Sequence, residues 1–200
     1  MAVDPARTFK PIRIAVLTVT DTRDASTDTS GDLLAARITA AGHLLAQRGL
    51  VKDAAEAIAA QLNAWIDGGL VDAIITTGGT GLTGRDVTPE ALGQIADKQI
   101  PGFGELFRWL SYQSIGTSTV QSRACAIVAR GVYVFALPGS NGAVRDGWDG
   151  ILAEQLDSRN RPCNFVLLMF LVAKVPPAHF GPRRAICTRA PALWPRRARS

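Results

Sequence analysis

Residues 12–20 (IRIAVLTVT) are apolar at nearly every position rather than at every second one. A strand with that pattern is buried on both faces, which a parallel sheet sandwiched between helices provides. Residues 72–77 (DAIITT) and 132–137 (VYVFAL) repeat the pattern, and residues 43–51 (HLLAQRGLV) repeat it more weakly. Helical segments lie between these runs. One spans Ser30 to Ala41, capped by Asp28 or Thr29 and closed by Gly42. A second opens at Asp53 and buries Ile58, Leu62, Trp65 and Ile66 before Gly68 and Gly69 stop it. A third begins with Thr88 as N-cap and Pro89 at the first helical position. Further helices are expected over Gly104–Ile115, over Thr119–Arg130 with Gly131 as its stop, and from Asn141 to about Leu156. Strands alternating with helices predict an α/β, Rossmann-like three-layer sandwich with a mainly parallel central sheet.

The chain has 200 residues, enough for one domain with a real core. Its formal charge of +5 invites a nucleic-acid reading, but the charge is unevenly placed. Residues 166–200 hold Lys174, Arg183, Arg184, Arg189, Arg196, Arg197 and Arg199 and no acid, which leaves the body at −2. A mildly acidic body with no basic groove argues against nucleic acid as a partner. We therefore expect one domain over residues 1–165 and an atypical apolar-then-basic tail over 166–200, disordered beyond 176. The odd set Cys125, Cys163 and Cys187 has no CxxC spacing, and only His43 and His179 are present, so neither a disulfide framework nor a His/Cys zinc site is expected. Residues 1–10 lack an apolar signal region, and the apolar run 165–173 is too short to span a bilayer. A cytoplasmic protein with no membrane partner is the expectation.

In sheets of this kind ligands bind at the carboxyl ends of the strands. Three polar, glycine-containing segments fall there and should converge: 21–31, 78–86 and 138–141. The second carries Gly78, Gly79, Thr80 and Gly81, then Gly84, directly after a buried strand. Glycines let backbone amides close around an anion, and threonine hydroxyls add donors. The alternative is a plain strand-to-helix turn, but four glycines within seven positions favour a phosphate loop. Gly79 to Gly84 also reads GxGxxG, yet Pro89 delays the helix and no second strand ends in an acid at the right distance, so a dinucleotide fold is rejected. A Walker A loop is excluded because no Gly-Lys-Ser/Thr occurs. Ser30 and Gly31, Ser122 and Arg123, and Pro138, Gly139 and Ser140 join the expected phosphate-binding set. Arg123 could clamp a phosphate bidentately or lie on a solvated helix face with Ser118 and Ser122.

Asp86 carries the most information. A carboxylate beside a phosphate loop repels the ligand unless a cation such as Mg²⁺ lies between them. Its competing role is to stabilise a helix dipole. Asp53, at the end of the second strand, is either on the ligand side or an ordinary N-cap.

Together these residues resemble a known signature. Thr77-Gly78-Gly79-Thr80-Gly81, followed by Asp86 and Thr88-Pro89-Glu90, is similar to that of the MoaB/MogA family of molybdenum-cofactor biosynthesis proteins. Residues 102–108, 115–123, 155–157 and 161–165 resemble the MoaB branch in particular. The similarity covers roughly residues 10–165, and the chain after Val166 departs from it. The resemblance implies a molybdopterin adenylyltransferase with ATP and molybdopterin as substrates and Mg²⁺ as cofactor. It implies Asp86 as a metal or catalytic residue and Asp53 as the second catalytic acid. It also implies a trimer or hexamer and a downstream molybdenum-insertion enzyme as a further partner. Two rivals remain: a non-catalytic molybdopterin or nucleotide binder in the same pathway, and a scaffold that binds no substrate. Both aspartates favour the enzyme, since a pure anion binder would do better without them.

Overall fold

The computed structural model describes residues 3–172, so every expectation for the chain from residue 173 onward lies outside the described residues. A six-stranded sheet runs in the order β2-β1-β3-β6-β5-β4. Its strands are β1 (Arg13–Val19), β2 (Leu44–Val51), β3 (Ala73–Thr77), β4 (Lys98–Gln99), β5 (Cys125–Ala129) and β6 (Val132–Leu137). β2, β1, β3 and β6 pair in parallel, while β5 runs antiparallel to β6 and β4 antiparallel to β5. The helices are α1 (Thr29–Ala40), α2 (Ala55–Asp67), α3 (Thr88–Ile95), α4 (Pro101–Ile115), α5 (Asn141–Gly147), α6 (Ala153–Gln155) and α7 (Phe165–Val172). A 3₁₀ helix (Gly116–Gln121) follows α4, and a π turn (Trp148–Leu152) joins α5 to α6.

The continuous apolar runs mean what the pattern requires. Ile14 and Val16 of β1 pack on one face with Leu34 and Ile38 of α1, Phe107 of α4 and Val144 of α5. Ala15 and Leu17 pack on the other face with Ile58 and Leu62 of α2 and Leu92 of α3. The protein is therefore a three-layer α/β sandwich with a mainly parallel sheet. Val166 and Met169 of α7 are buried in the first of these cores, so the apolar run at the start of the tail covers the domain.

Two readings of the sequence need correction. Thr119–Arg130 is not a helix: it divides into the end of the 3₁₀ helix and β5. Arg130 (φ 49°) and Gly131 (φ 84°) both lie in the left-handed region and turn β5 back into β6. A two-residue turn with both φ positive matches the right-handed twist of a hairpin. The run Ala-Cys-Ala-Ile-Val-Ala has no polar alternation, because both its faces are covered, and its alanines suit a helix equally well. The fourth helix starts at Pro101 rather than Gly104, and the short strand β4 lies just before it.

Asp28 fixes where α1 leaves the sheet. Its carboxylate is fully buried and accepts from the Gly31 amide at 2.9 Å and the Thr18 hydroxyl at 2.7 Å. Arg48 of β2 reaches it at 3.0 Å. Burial alone would raise its pKa, but Thr18, Gly31 and Arg48 outweigh that and hold it below the ordinary value of 3.8. A lowered folded-state pKa gives stability that is present above the unfolded value and lost as pH falls through the folded one. We expect Asp28→Ala to cost about 1–3 kcal/mol in urea denaturation at neutral pH, since it removes a cap and one of the two acids paired with Arg48, which keeps Asp32. The difference from wild type should shrink below pH 3.8; a gap that is constant with pH would count against the ionic part of this role.

Candidate functional site

The sheet changes direction of growth at β1, which has β2 on one side and β3 on the other. The crevice at the carboxyl ends of β1 and β3 is where such folds bind ligands. Gly78 and Gly79 stand there with φ of +106° and +65°, a region that side-chain-bearing residues rarely occupy. A Cβ on Gly78 would overlap the carbonyl oxygen of Val19, so only glycine lets the chain leave β3 this close to β1. A Cβ on Gly79 would lie 2.8 Å from Asp53 Oδ1, and one on Gly81 would lie 2.7 Å from Asp86 Oδ2. The glycine loop thus runs between the two aspartates singled out in the sequence. Among the described residues, the amides of Gly79 and Thr80 and the Thr80 hydroxyl have no hydrogen-bond partner. They are donors available to an anion.

The three segments expected to converge do so. Arg23 donates to the Ser30 hydroxyl and to the Gly139 carbonyl, each at 3.1 Å. Gly139 packs on the Cα of Gly78, and Thr77 donates to the Pro138 carbonyl at 3.2 Å. A cavity of about 270 Å³ opens between the glycine loop, α4, the 3₁₀ helix and α5. Thr80, Gly81, Ser122, Pro138 and Ser140 line it. Gly31 does not: it lies under the Asp28 carboxylate, where a Cβ would have no room. Ser30 is fully buried and bonded to Arg23 and to Asp28, so both residues serve the first turn of α1.

Arg123 is committed to the loop. Its amide donates to the Thr80 carbonyl at 3.0 Å and its Nε to the Gly81 carbonyl at 2.7 Å. The two terminal nitrogens reach Glu90 and the Asp86 carbonyl. Its position between the 3₁₀ helix and β5 also removes it from the helical stripe with Ser118 and Ser122. Thr88 is likewise one step from its expected role: Val87 is the N-cap of α3, and the Thr88 hydroxyl donates to the Gly78 carbonyl at 3.0 Å. Sequence reasoning missed Arg23, Ser111, Asp146 and Asp21, each of which acts across a long sequence separation and carries no local signature.

The two aspartates are tuned in opposite directions. Asp86 accepts from the Thr83 hydroxyl at 2.5 Å and the Thr83 amide at 2.8 Å, which holds its pKa below the ordinary value, with further help from the Gly81 amide and Arg123. Asp53 is not a helix cap: α2 begins behind Ala54 with no side-chain cap, and Asp53 Oδ1 accepts instead from the Val87 amide at 3.1 Å. Burial pushes the Asp53 carboxyl up, and repulsion from Asp86 and Asp21 adds to the shift. Carboxylates so arranged suit a divalent cation whose remaining ligands are phosphate oxygens and water. No cluster of three or more His, Cys, Asp or Glu among the described residues would hold a metal alone. Asp53 and Asp86 are the residues that could stand on the protein side of a cation brought in by a phosphate.

Residues 15–158 match the sequence profile of a family described as a probable molybdopterin binding domain. The chain is 50% identical over 157 residues to molybdenum cofactor biosynthesis protein B of Escherichia coli (strain K12), covering 78% of this chain and 92% of that protein. It is 41% identical over 146 residues to the Bacillus subtilis (strain 168) protein of the same name, covering 72% and 86%. A crystal structure of molybdenum cofactor biosynthesis protein B superposes with a TM-score of 0.76 at 37% identity, covering 84% of this chain and 100% of that one. The tungsten cofactor synthesizing protein MoaB from Pyrococcus furiosus gives 0.64 at 35% identity, with 72% and 92% covered. The chain belongs to the molybdenum cofactor biosynthesis protein B family and is a protein of molybdenum cofactor biosynthesis.

A carboxyl whose folded-state pKa is raised weakens the fold while ionised, and the penalty is relieved as pH falls through that pKa. Asp53→Asn is therefore expected to melt at or above the wild-type temperature at pH 7, with the two curves merging as pH is lowered. A clear loss of thermal stability in that variant would show that Asp53 serves the fold rather than the site.

Proposed function

We propose that the chain transfers an adenylyl group from ATP to the terminal phosphate of molybdopterin. The observation that carries this reading is the glycine loop held between Asp53 and Asp86, with the Gly79 and Thr80 amides unpaired. In the reaction an oxygen of the molybdopterin phosphate attacks the α-phosphorus of ATP. The bond from that phosphorus to the αβ-bridging oxygen breaks, and pyrophosphate leaves with the electron pair. Such transfers depend on positioning and charge neutralisation more than on a covalent catalyst. The loop amides and the Thr80 hydroxyl would hold phosphate oxygens. Arg123 keeps the loop closed through the Gly81 and Asp86 carbonyls. Asp86, held ionised by Thr83, and Asp53, poised by its acidic neighbours, would orient the reacting groups. Bound Mg²⁺ would supply the positive charge that the two phosphates need to approach each other.

Asp86→Asn is expected to fold normally and to lower pyrophosphate release at least 100-fold when incubated with molybdopterin, ATP and Mg²⁺, the usual scale for losing a preorganised electrostatic group (on the order of 10²–10³). Wild-type turnover in that variant would remove Asp86 from the mechanism. Binding of both substrates by the wild-type protein with no pyrophosphate released would identify a non-catalytic member of the pathway.

We further infer a homo-oligomer, trimer or hexamer, located in the cytoplasm, that passes its product to a molybdenum-insertion enzyme. Support for assembly comes from Trp109, Tyr112 and Ile115 of α4 and Val120, large apolar side chains 64%, 53%, 54% and 78% exposed. Large apolar side chains exposed together on α4 and the 3₁₀ helix that follows it are the kind of surface an interaction covers. Sedimentation should give the mass of a trimer or hexamer; a monomer at micromolar concentration would refute it. No helix of the described residues is long and apolar enough to cross a membrane.

A further inference from the structure

The cavity beside the glycine loop has a second polar feature, far from the phosphate donors. Asp146 of α5 lines it, and Ser111 of α4, only 2% exposed, donates its hydroxyl to Asp146 Oδ2 at 2.8 Å. Among the described residues the Asp146 carboxylate has no other hydrogen bond and no ion pair. Its surroundings include the apolar side chains of Phe107, Ile115 and Ala143. A half-buried carboxylate in such a place is costly unless a donor comes to it. Arg145, the adjacent cation, is exposed and makes no bridge to it.

The placement along α5 adds a length. Ser140, the N-cap of α5, lines the cavity at the glycine-loop end. Asp146 lies six residues further along the helix, which is roughly 9 Å of axial rise. A ligand filling the cavity would thus have an anionic group at one end, near Thr80 and Gly81, and a hydrogen-bond donor at the other. The donor end must also be flat and largely apolar to lie against Phe107 and Ile115.

We propose that Asp146, positioned by Ser111, is the residue that selects the ring of the substrate, by accepting two parallel hydrogen bonds from adjacent ring N–H groups. This rests on the reading of the cavity as a molybdopterin site. A pterin presents an exocyclic 2-amino group beside an N3–H, a donor pair that matches the two oxygens of one carboxylate. A guanine-type ring offers the same pair, whereas an adenine ring does not, so Asp146 also keeps ATP's base out of the pterin end. The cavity then has a defined polarity: phosphate toward the glycine loop and ring toward α4 and α5.

The test uses two bicyclic rings that differ at C2, pterin (amino) and lumazine (oxo), titrated with the full chain and followed by quenching of their own fluorescence. The wild-type protein should bind pterin roughly 10- to 100-fold more tightly than lumazine, the scale of a lost hydrogen bond to a charged group. Asp146→Asn should lose that preference, with pterin weakened and lumazine unchanged or improved, because an amide presents a donor where the carboxylate presented an acceptor. Ser111→Ala should reduce the preference part-way. Equal binding of the two rings by the wild-type protein, no binding of either, or a preference that survives in both variants would overturn the assignment. A purely structural role would weaken both rings alike. Failure of the adenylyl-transfer reading appears differently, as ring selection that persists without pyrophosphate release from molybdopterin and ATP.

Discussion

Gly78 lies so close to the carbonyl oxygen of Val19 that no side chain can come between β1 and β3 at their carboxyl ends. The approach is possible because both strands are parallel, neighbouring and buried on two faces, and because Gly78 and Gly79 tolerate left-handed backbone. Everything at the site depends on that closeness. It turns the chain sharply out of β3, leaves loop amides without internal partners, and draws the loop against Asp53 at the end of β2. It also brings Gly139, after β6, onto the back of Gly78. Four strand ends, of β1, β2, β3 and β6, are thereby gathered at one point.

The charges around that point are unequal. Asp21, Asp53 and Asp86 stand near one another, and Asp53 feels the repulsion of the other two. The exposed Arg85 pairs with Asp21 at 3.7 Å, and Arg123 is engaged by backbone carbonyls and Glu90. On the function proposed above, a loop with free amides beside these acids takes an anion together with a cation rather than an anion alone. The same economy explains Asp28. It is an aspartate fully buried, unlike the partly exposed Asp53 and Asp86, and satisfied by Thr18, Gly31 and Arg48, and it serves the fold. Burial and partners together separate the two kinds of aspartate.

How much was legible from sequence varied with the range of the interaction. Asp28 as the cap of α1, Gly42 and Gly68 as helix ends, and the β1, β3 and β6 runs were all readable, because each depends on residues a few positions apart. Asp53 was ambiguous, since the same residue before a helix can cap it or face a ligand, and only the Val87 amide across the crevice decides. β5 reads as helix because a strand covered on both faces has no alternation to show. Ser111 and Asp146 gave no signal, being 35 residues apart on helices that meet only after the sheet has ordered them.

The sequence by itself determined the sheet-forming segments, the glycine turn with its aspartates, and the family. These are set by local sterics and by apolar period, which act within a few residues and are written directly in residue order. Tertiary structure alone decided that Arg123 closes the loop instead of waiting for a phosphate, that Asp53 and Asp86 are pushed to opposite sides of the usual carboxyl range, and that a carboxylate stands at the far end of the cavity. Charge–charge repulsion, desolvation and hydrogen bonding depend on distances of a few ångströms between segments remote in the chain. Those distances exist only once β2 and β3 have taken their places on either side of β1.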